Sequence, residues 1–155
     1  MVDACVNMQP SRNARFAVSH NERTDLLKAG YLLPEQHRLG NILVDGSLSE
    51  DDVDAELARL SARMTGAAKA RGSTPLMEAV LLLPKPPANG GDLDAYKQEL
   101  QEMVQQFNAR TQELLGFRAL HSSIHLDEGY VDDAGQPQYN VHAHIVYDRT
   151  TTEGR

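Results

Sequence analysis

Residues 138–147 read QYNVHAHIVY and residues 122–128 read SSIHLDE, and these two segments decide the fold at the end of the chain. Side chains alternate across a β-strand, so His142 and His144 share one face while the apolar residues between and beside them take the other. The pattern therefore predicts two strands, one of which presents a pair of imidazoles on a single face.

A turn between the two segments brings a third histidine to the same face. The sequence DDAG at residues 132–135 predicts a hairpin centred on its middle, which places His125 directly opposite His142. Directly opposed residues have β-carbons about 4.5 to 5.5 Å apart, and His144 is a diagonal neighbour. One divalent ion would then reach all three rings. A one-residue bulge at Gly135 is the alternative, and it would break this register.

Three neutral imidazoles suit zinc, manganese, nickel or iron, and an open coordination position suits catalysis more than structure. Asp127 and Glu128 follow His125 closely, and a carboxylate there either orients a ligating imidazole or binds the metal itself. A lone H-x-H pair is more often an ordinary half-polar strand face. Three of the chain's six histidines converge here, which favours the metal site.

Length and composition predict one domain over residues 1–155, because 41% hydrophobic residues are enough for a single core. Cys5 is the only cysteine, so no internal disulfide forms and a reducing cytoplasm is the expected compartment. The first residues lack a signal sequence, and no apolar run approaches the roughly 20 residues of a membrane span. The chain also ends soon after the H-x-H strand, so truncation at the C-terminus is a further expectation.

The formal net charge of −7 opposes DNA binding, because phosphate contacts normally need a basic surface. The charge is unevenly distributed, and residues 57–91 are locally basic. The predicted DNA contacts in this segment are Arg59, Arg63, Lys69 and Arg71. The alternative is that the same four side chains lie on a solvated helix face and do not contact DNA.

Hydrophobic periodicity and turn residues predict an α+β fold, with a central antiparallel sheet and helices packed on one face. The histidine face is then left open to a ligand. The predicted elements are a strand at 15–18, a brief helix to residue 29, an irregular stretch at 32–48 with at most one small element, a helix capped by Ser49 and ending near Gly66 or Gly72, a strand at 76–83, a loop at 84–91, a long helix from Asp92 to Gly116, and strands at 117–126 and 138–147.

His20 and Arg23 form an H-x-x-R motif after the first predicted strand, and HLDE at 125–128 is followed by HAH at 142–144. In this order the motifs resemble those of the plasmid mobilisation relaxases (Mob/Pre, MobV-type), a branch of the HUH single-strand endonucleases. The resemblance covers roughly residues 12 to 148. It implies a relaxase catalytic domain with a central antiparallel sheet and a metal, Mn²⁺ or Mg²⁺, on the H-x-H strand.

The resemblance also implies an activity and partners. A relaxase nicks and rejoins one DNA strand by transesterification at a plasmid origin of transfer, and it stays attached to the 5′ phosphate of the cut strand. The implied partners are single-stranded origin DNA and accessory mobilisation proteins.

This sequence departs from the family pattern in three places. Thirteen residues separate Glu128 from His142, where family members usually have only a few. Val141 stands where the family typically has proline, and the family's middle motif, Asn-Tyr-Asp-Leu, has only a partial echo in residues 41–44. These differences indicate a divergent subgroup, and no function is carried onto residues 41–44.

Two side chains are candidates for the nucleophile. A histidine with a pKa near 6.5 is mostly neutral in the cytoplasm and attacks phosphorus without first losing a proton, whereas a tyrosine near pKa 10 needs a base or a metal to ionise it. This favours His20 as the nucleophile, and Tyr31 is the alternative nucleophile. The alternative role of His20 is structural, as a strand-end residue that forms a turn. Arg23 is the candidate clamp for a phosphate oxygen, with Asp127 and Glu128 beside the metal.

Other functions fit the same residues. A rolling-circle replication initiator or a transposase would share the fold and use a tyrosine. A metal-dependent hydrolase of non-DNA substrates, or a DNA-binding module without catalysis, belongs to a different class. Covalent capture of a DNA strand separates the relaxase from these last two.

Overall fold

A five-stranded antiparallel sheet forms the centre of the computed structural model, which describes residues 6–10, 31–45, 52–64, 74–87 and 91–150. The strands of this sheet, in spatial order, are β1 (Val6–Pro10), β3 (Leu76–Leu82), β7 (His142–Asp148), β4 (Arg118–His125) and β2 (Ile42–Asp45). A separate two-stranded ribbon consists of β5 (Gly129–Val131) and β6 (Pro137–Tyr139). The helices within the described residues are α1 (Val53–Ser61), α2 (Leu93–Leu115) and a 3-10 turn at Glu35–His37.

Helix α2 packs on one face of the sheet and encloses the larger core. Its start is capped by Asp92, whose carboxylate accepts a hydrogen bond from the Ala95 amide at 3.1 Å, and it ends at Gly116 in the left-handed conformation with φ 73°. Leu100 and Val104 are fully buried against the apolar face of the sheet, which is opposite the face that carries the histidines. The predicted limits of this helix are therefore confirmed.

Helix α1 belongs to a second, smaller cluster, whose buried members are Val53, Leu60, Leu76, Leu120 and Val146. Val146 shares a face of β7 with His142 and His144 because strand side chains alternate. Helix α1 thus covers the end of this sheet face that is remote from His142 and His144. It does not pack over the end that carries these two histidines. The α+β class and the central antiparallel sheet are confirmed, with one difference in detail: the prediction placed the helices on one face, whereas α1 and α2 lie on opposite faces.

The bounds of several elements differ from the prediction where the sequence pattern spans only a few residues. The stretch at 32–48 contains a sheet strand, β2, and its four residues are held by pairing with β4 rather than by a long apolar pattern. The predicted strand at 138–147 is divided at residues 140–141 into β6 and β7. Helix α1 ends at Ser61 instead of near Gly66 or Gly72. The predicted strand at 15–18, the brief helix to residue 29 and the Ser49 cap lie outside the described residues. None of the described helices is apolar enough over a sufficient length to cross a membrane.

Candidate metal centre

The pairing of β4 with β7 brings the histidines together. His125 is directly opposite His142, and Ser123 is directly opposite His144, as the centred hairpin predicted. All four side chains lie on one face of the sheet, since residues two apart in a strand share a face. The predicted three-histidine register is therefore confirmed.

The ribbon beyond the histidines follows a different register. It pairs Gly129 with Tyr139, whereas continuation of the β4–β7 register would pair Gly129 with Gln138. The turn at its tip includes Gly135 with φ 79°, a backbone conformation that favours glycine. Between the His125–His142 pair and the Gly129–Tyr139 pair lie three residues on one side, 126–128, and two on the other, 140–141. The extra residue therefore lies at the base of the ribbon, at 126–128, and the histidine pairs keep their register.

Four side chains converge at the end of β4 and β7: His125, Glu128, His142 and His144. The Glu128 Oε2 atom lies 2.9 Å from His125 Nδ1 and 2.9 Å from His142 Nε2. His142 Nε2 in turn lies 3.0 Å from His144 Nε2. One potential ligand atom from each residue falls within 4.8 Å of all the others, which is close enough for one ion to contact the four.

A backbone hydrogen bond fixes the proton of His142. Its Nδ1 lies 2.9 Å from the Asn140 carbonyl oxygen, which can only accept, so Nδ1–H donates and the neutral ring presents an Nε2 lone pair to the cluster. The Glu128 carboxylate also presents lone pairs there. Electron pairs that face each other at 2.9 Å need a cation between them, either a proton or a metal ion.

The chemistry of the donor set fits a transition metal. Three imidazole nitrogens and one carboxylate oxygen match the preferences of manganese, iron, nickel or zinc, whereas magnesium prefers oxygen ligands almost exclusively. His125 is fully buried and His142 and Glu128 are nearly so, while His144 is half-buried. The cluster therefore has rigid, mostly dry walls and a more open side at His144.

Asp127 and Glu128 are adjacent but serve different parts of the structure. Asp127 accepts a hydrogen bond from Asn41 Nδ2 at 3.0 Å, and Asn41 Oδ1 accepts from the Leu126 amide at 2.7 Å. Glu128 alone of the two carboxylates belongs to the histidine cluster. Asp127 instead fastens the end of β4 to the start of β2, next to the metal centre.

Two residues near the centre were not predicted from the sequence. Ser123 Oγ lies 3.3 Å from His125 Nε2, and alternation from His125 would have found this contact. Asn41 is 86 residues from Asp127 in the chain, and no local pattern reveals that pairing.

The remaining predicted site residues fall into two groups. His20, Arg23, Lys69 and Arg71 lie outside the described residues. The described ones are Tyr31, Arg59 and Arg63. Tyr31 is 38% exposed, and its carbonyl oxygen accepts from the Gly129 amide at 3.0 Å, so its backbone lies beside the residue that follows Glu128.

Arg59 of α1 and Arg63, two residues beyond the end of α1, are bound to carboxylates of this chain. Arg59 Nε donates to Glu56 at 3.0 Å, and this hydrogen bond holds the pKa of the Glu56 carboxyl below its ordinary value. Arg63 Nη1 lies 3.3 Å from Asp148, a buried carboxylate of β7. Asp148 is on the histidine face, so Arg63 reaches that face from the α1 end.

Comparisons with known proteins identify the fold. No protein-family model and no curated protein sequence matches the chain. The chain is structurally similar to the MobM relaxase domain (MOBV; Mob_Pre), in a manganese-bound crystal structure with oriT DNA of plasmid pMV158. The TM-score is 0.55 and the identity 17%, over 98% of this chain and 72% of that one. The comparison therefore confirms, at the level of the fold, the resemblance that the motifs indicated.

Proposed function

We propose that this protein is a metal-dependent relaxase that nicks and rejoins one strand of DNA at a plasmid origin of transfer. The observation that carries the proposal is the cluster of three histidines and Glu128 on the central sheet of a relaxase-like fold. Single-stranded origin DNA is the proposed substrate, and accessory mobilisation proteins are the proposed partners. Manganese is the ion that best combines the donor set with the ion bound by the structural neighbour.

The proposed reaction transfers the 5′ phosphoryl end of the cut strand from DNA to protein. A nitrogen of His20 attacks the scissile phosphorus, and the bond from phosphorus to the 3′ oxygen breaks. The imidazole loses its ring proton as the N–P bond forms, and the 3′ oxygen takes up one proton and leaves as a 3′ hydroxyl. The phosphorus remains bonded to the 5′ oxygen of the downstream strand. Attack by a 3′ hydroxyl on the adduct reverses these bonds and rejoins the DNA. A bound divalent cation supplies Lewis-acid stabilisation of the charge on the phosphate oxygens.

The residues of the chain hold this site in one geometry before substrate arrives. The Asn140 carbonyl orients the His142 ring, and Glu128 contacts both His125 and His142. Because these side chains are buried, they exclude water from one side of the reacting phosphate. Arg23 is the proposed clamp for a second phosphate oxygen.

Tyr31 is the alternative nucleophile. Its backbone pairs with Gly129, immediately after Glu128, so its chain segment borders the metal centre. This location makes the tyrosine mechanism of the replication initiators and transposases the second candidate.

The function is tested with a labelled single-stranded oligonucleotide whose sequence comes from the DNA upstream of the gene for this protein. The oligonucleotide is incubated with the protein and Mn²⁺. We expect a covalent adduct that is labile in acid and stable in base, as a phosphoramidate is. The His20→Ala variant should lose capture, and the Tyr31→Phe variant should keep it. His142→Ala and His144→Ala should lose both manganese binding and cleavage while the circular dichroism spectrum stays native.

Other outcomes assign other functions. An acid-stable adduct that disappears in Tyr31→Phe would move the protein to the tyrosine branch. Hydrolysis without capture would indicate a metal-dependent hydrolase, and binding without cleavage would indicate a DNA-binding module. Unchanged manganese affinity in both histidine variants, measured by calorimetry, would overturn the metal centre.

A further inference from the structure

The ribbon of β5 and β6 is joined directly to the metal centre. Strand β5 starts at the residue after Glu128, and β6 ends three residues before His142. The Asn140 amide donates to the Glu128 carbonyl oxygen at 3.0 Å, while the Asn140 carbonyl accepts from the His142 ring. The base of the ribbon and two members of the histidine cluster thus share one hydrogen-bonded frame.

The tip of the ribbon is held rigid by one carboxylate. Asp132 accepts from the amides of Ala134 and Gln136 at 3.0 and 2.9 Å, and from the Gln138 side chain at 2.9 Å. The hydrogen bond from the Gln136 amide is the main reason that the pKa of Asp132 lies below its ordinary value, so the carboxylate stays charged near neutrality. The ribbon is therefore a structured arm.

The two faces of the ribbon differ. Tyr139 packs partly buried against the main core, and its hydroxyl donates to the His37 carbonyl at 2.8 Å. Tyr130 pairs with Gln138, so it lies on the ribbon face opposite Tyr139. Only Gly129 separates Tyr130 from Glu128 in the chain, which places their α-carbons within about 7 Å of each other.

Tyr130 is 65% exposed, although it lies on a rigid strand next to a nearly dry site. A tyrosine ring fixed in this way loses little conformational entropy when it contacts a ligand. Flat aromatic rings of this kind serve as stacking platforms for the bases of single-stranded nucleic acid.

We propose that the β5–β6 ribbon is a substrate-binding arm, on which Tyr130 stacks against a base of the DNA strand next to the scissile phosphate. This inference rests on the proposed function and adds a contact that the metal centre does not provide. Stacking on the ring alone tolerates any base, so Tyr130 contributes affinity and position rather than sequence preference.

Fluorescence anisotropy with two probes tests the arm. The first probe is a 20-nucleotide oligo-dT, and the second is a strand of equal length built from abasic residues, which keeps the phosphates and lacks the bases. We expect Tyr130→Ala to weaken binding of oligo-dT by roughly 5- to 150-fold, the range for loss of one stacked base, and to leave the abasic strand unaffected. Tyr130→Phe should bind oligo-dT like the wild type, because phenylalanine keeps the ring.

Leu114→Ala is the matched control, since Leu114 is 64% exposed at the end of α2 remote from the histidines. Equal affinity of wild type and Tyr130→Ala for oligo-dT would overturn the arm and leave the proposed function intact. An equal loss on both probes, or a loss in Tyr130→Phe as large as in Tyr130→Ala, would also overturn stacking. If the wild type neither binds nor cuts any single strand, the proposed function fails and the arm fails with it.

Discussion

At the scale of single residues, the candidate metal centre depends on which of two adjacent carboxylates contacts the histidines. Glu128 contacts His125 and His142, whereas Asp127 is bound to Asn41. Removal of the Glu128 charge takes away a group within 2.9 Å of two ring nitrogens. Removal of the Asp127 charge weakens the link between β4 and β2.

We therefore expect unequal effects of Glu128→Gln and Asp127→Asn. Glu128→Gln should weaken manganese binding by about 10- to 100-fold, as loss of a ligand-orienting carboxylate does elsewhere, or more if Glu128 binds the ion itself. Asp127→Asn should leave metal affinity within about 3-fold and lower the melting temperature instead. Isothermal calorimetry and thermal unfolding separate the two effects. Equal losses of affinity would contradict the division of roles.

For these residues, part of the arrangement can be predicted from the sequence and part cannot. His125, His142 and His144 follow from the alternation of strand side chains and a nearby turn, which are local properties. The inward turn of Glu128 and the pairing of Asp127 with Asn41 depend on where β2 joins the sheet, and no local pattern fixes that.

At the scale of elements, a polar link ties α2 to the sheet. Asn108 donates to Ser122 Oγ at 2.9 Å and accepts from the Tyr147 hydroxyl at 2.7 Å, so one helix residue connects β4 and β7. The Tyr147 side chain is fully buried, and this burial raises its pKa to about 12. The long helix was predictable from its cap, its apolar stripe and Gly116, whereas β2, with only four residues, was not, because its stability comes from pairing with β4.

The raised pKa of Tyr147 predicts loss of stability in alkali. The unfolded phenol ionises near pH 10, and the folded one near pH 12, so the fold favours the neutral form. The contribution is complete below pH 10 and is lost as the pH rises from 10 to 12, by roughly 2 to 3 kcal/mol in the free energy of unfolding. In Tyr147→Phe, urea unfolding should show a shallower decline over this interval, at a cost of about 1 kcal/mol near pH 7.

Tyr130→Phe is the control for this experiment, because it removes one phenol hydroxyl from an exposed position and leaves Tyr147 in place. Tyr96, whose pKa burial also raises, contributes to the decline in both variants. An identical decline in wild type and Tyr147→Phe would show that ionisation of Tyr147 does not cause the loss of stability in alkali.

At the scale of the whole molecule, the negative charge of −7 requires that any DNA path avoid most of the surface. Arg59 on α1 and Arg110 on α2 are each neutralised by a glutamate one turn away on the same helix. Arg63 differs, because its partner Asp148 is shared with Arg118 at 3.9 Å, which leaves two cations to one carboxylate. Asp148 is four residues from His144 on the same strand face, about 13 Å along β7. Arg63 and Arg118 therefore lie on the sheet face that carries the candidate metal centre, where they share Asp148 and both act electrostatically on Glu56.

We expect Arg63→Ala to weaken binding of single strands of any sequence and to reduce the slope of log affinity against log salt by about 0.7, the value for one phosphate contact on a single strand. Arg59→Ala should change the slope less, because the charge of Arg59 is balanced by Glu56. Arg110→Ala, which removes an equivalent paired arginine on the opposite face of the sheet, should leave the slope unchanged. Titration of a labelled oligo-dT at several salt concentrations measures all three. An unaltered slope in Arg63→Ala would assign this arginine to the link between α1 and β7 alone, and the DNA would then have to cross the sheet by another route.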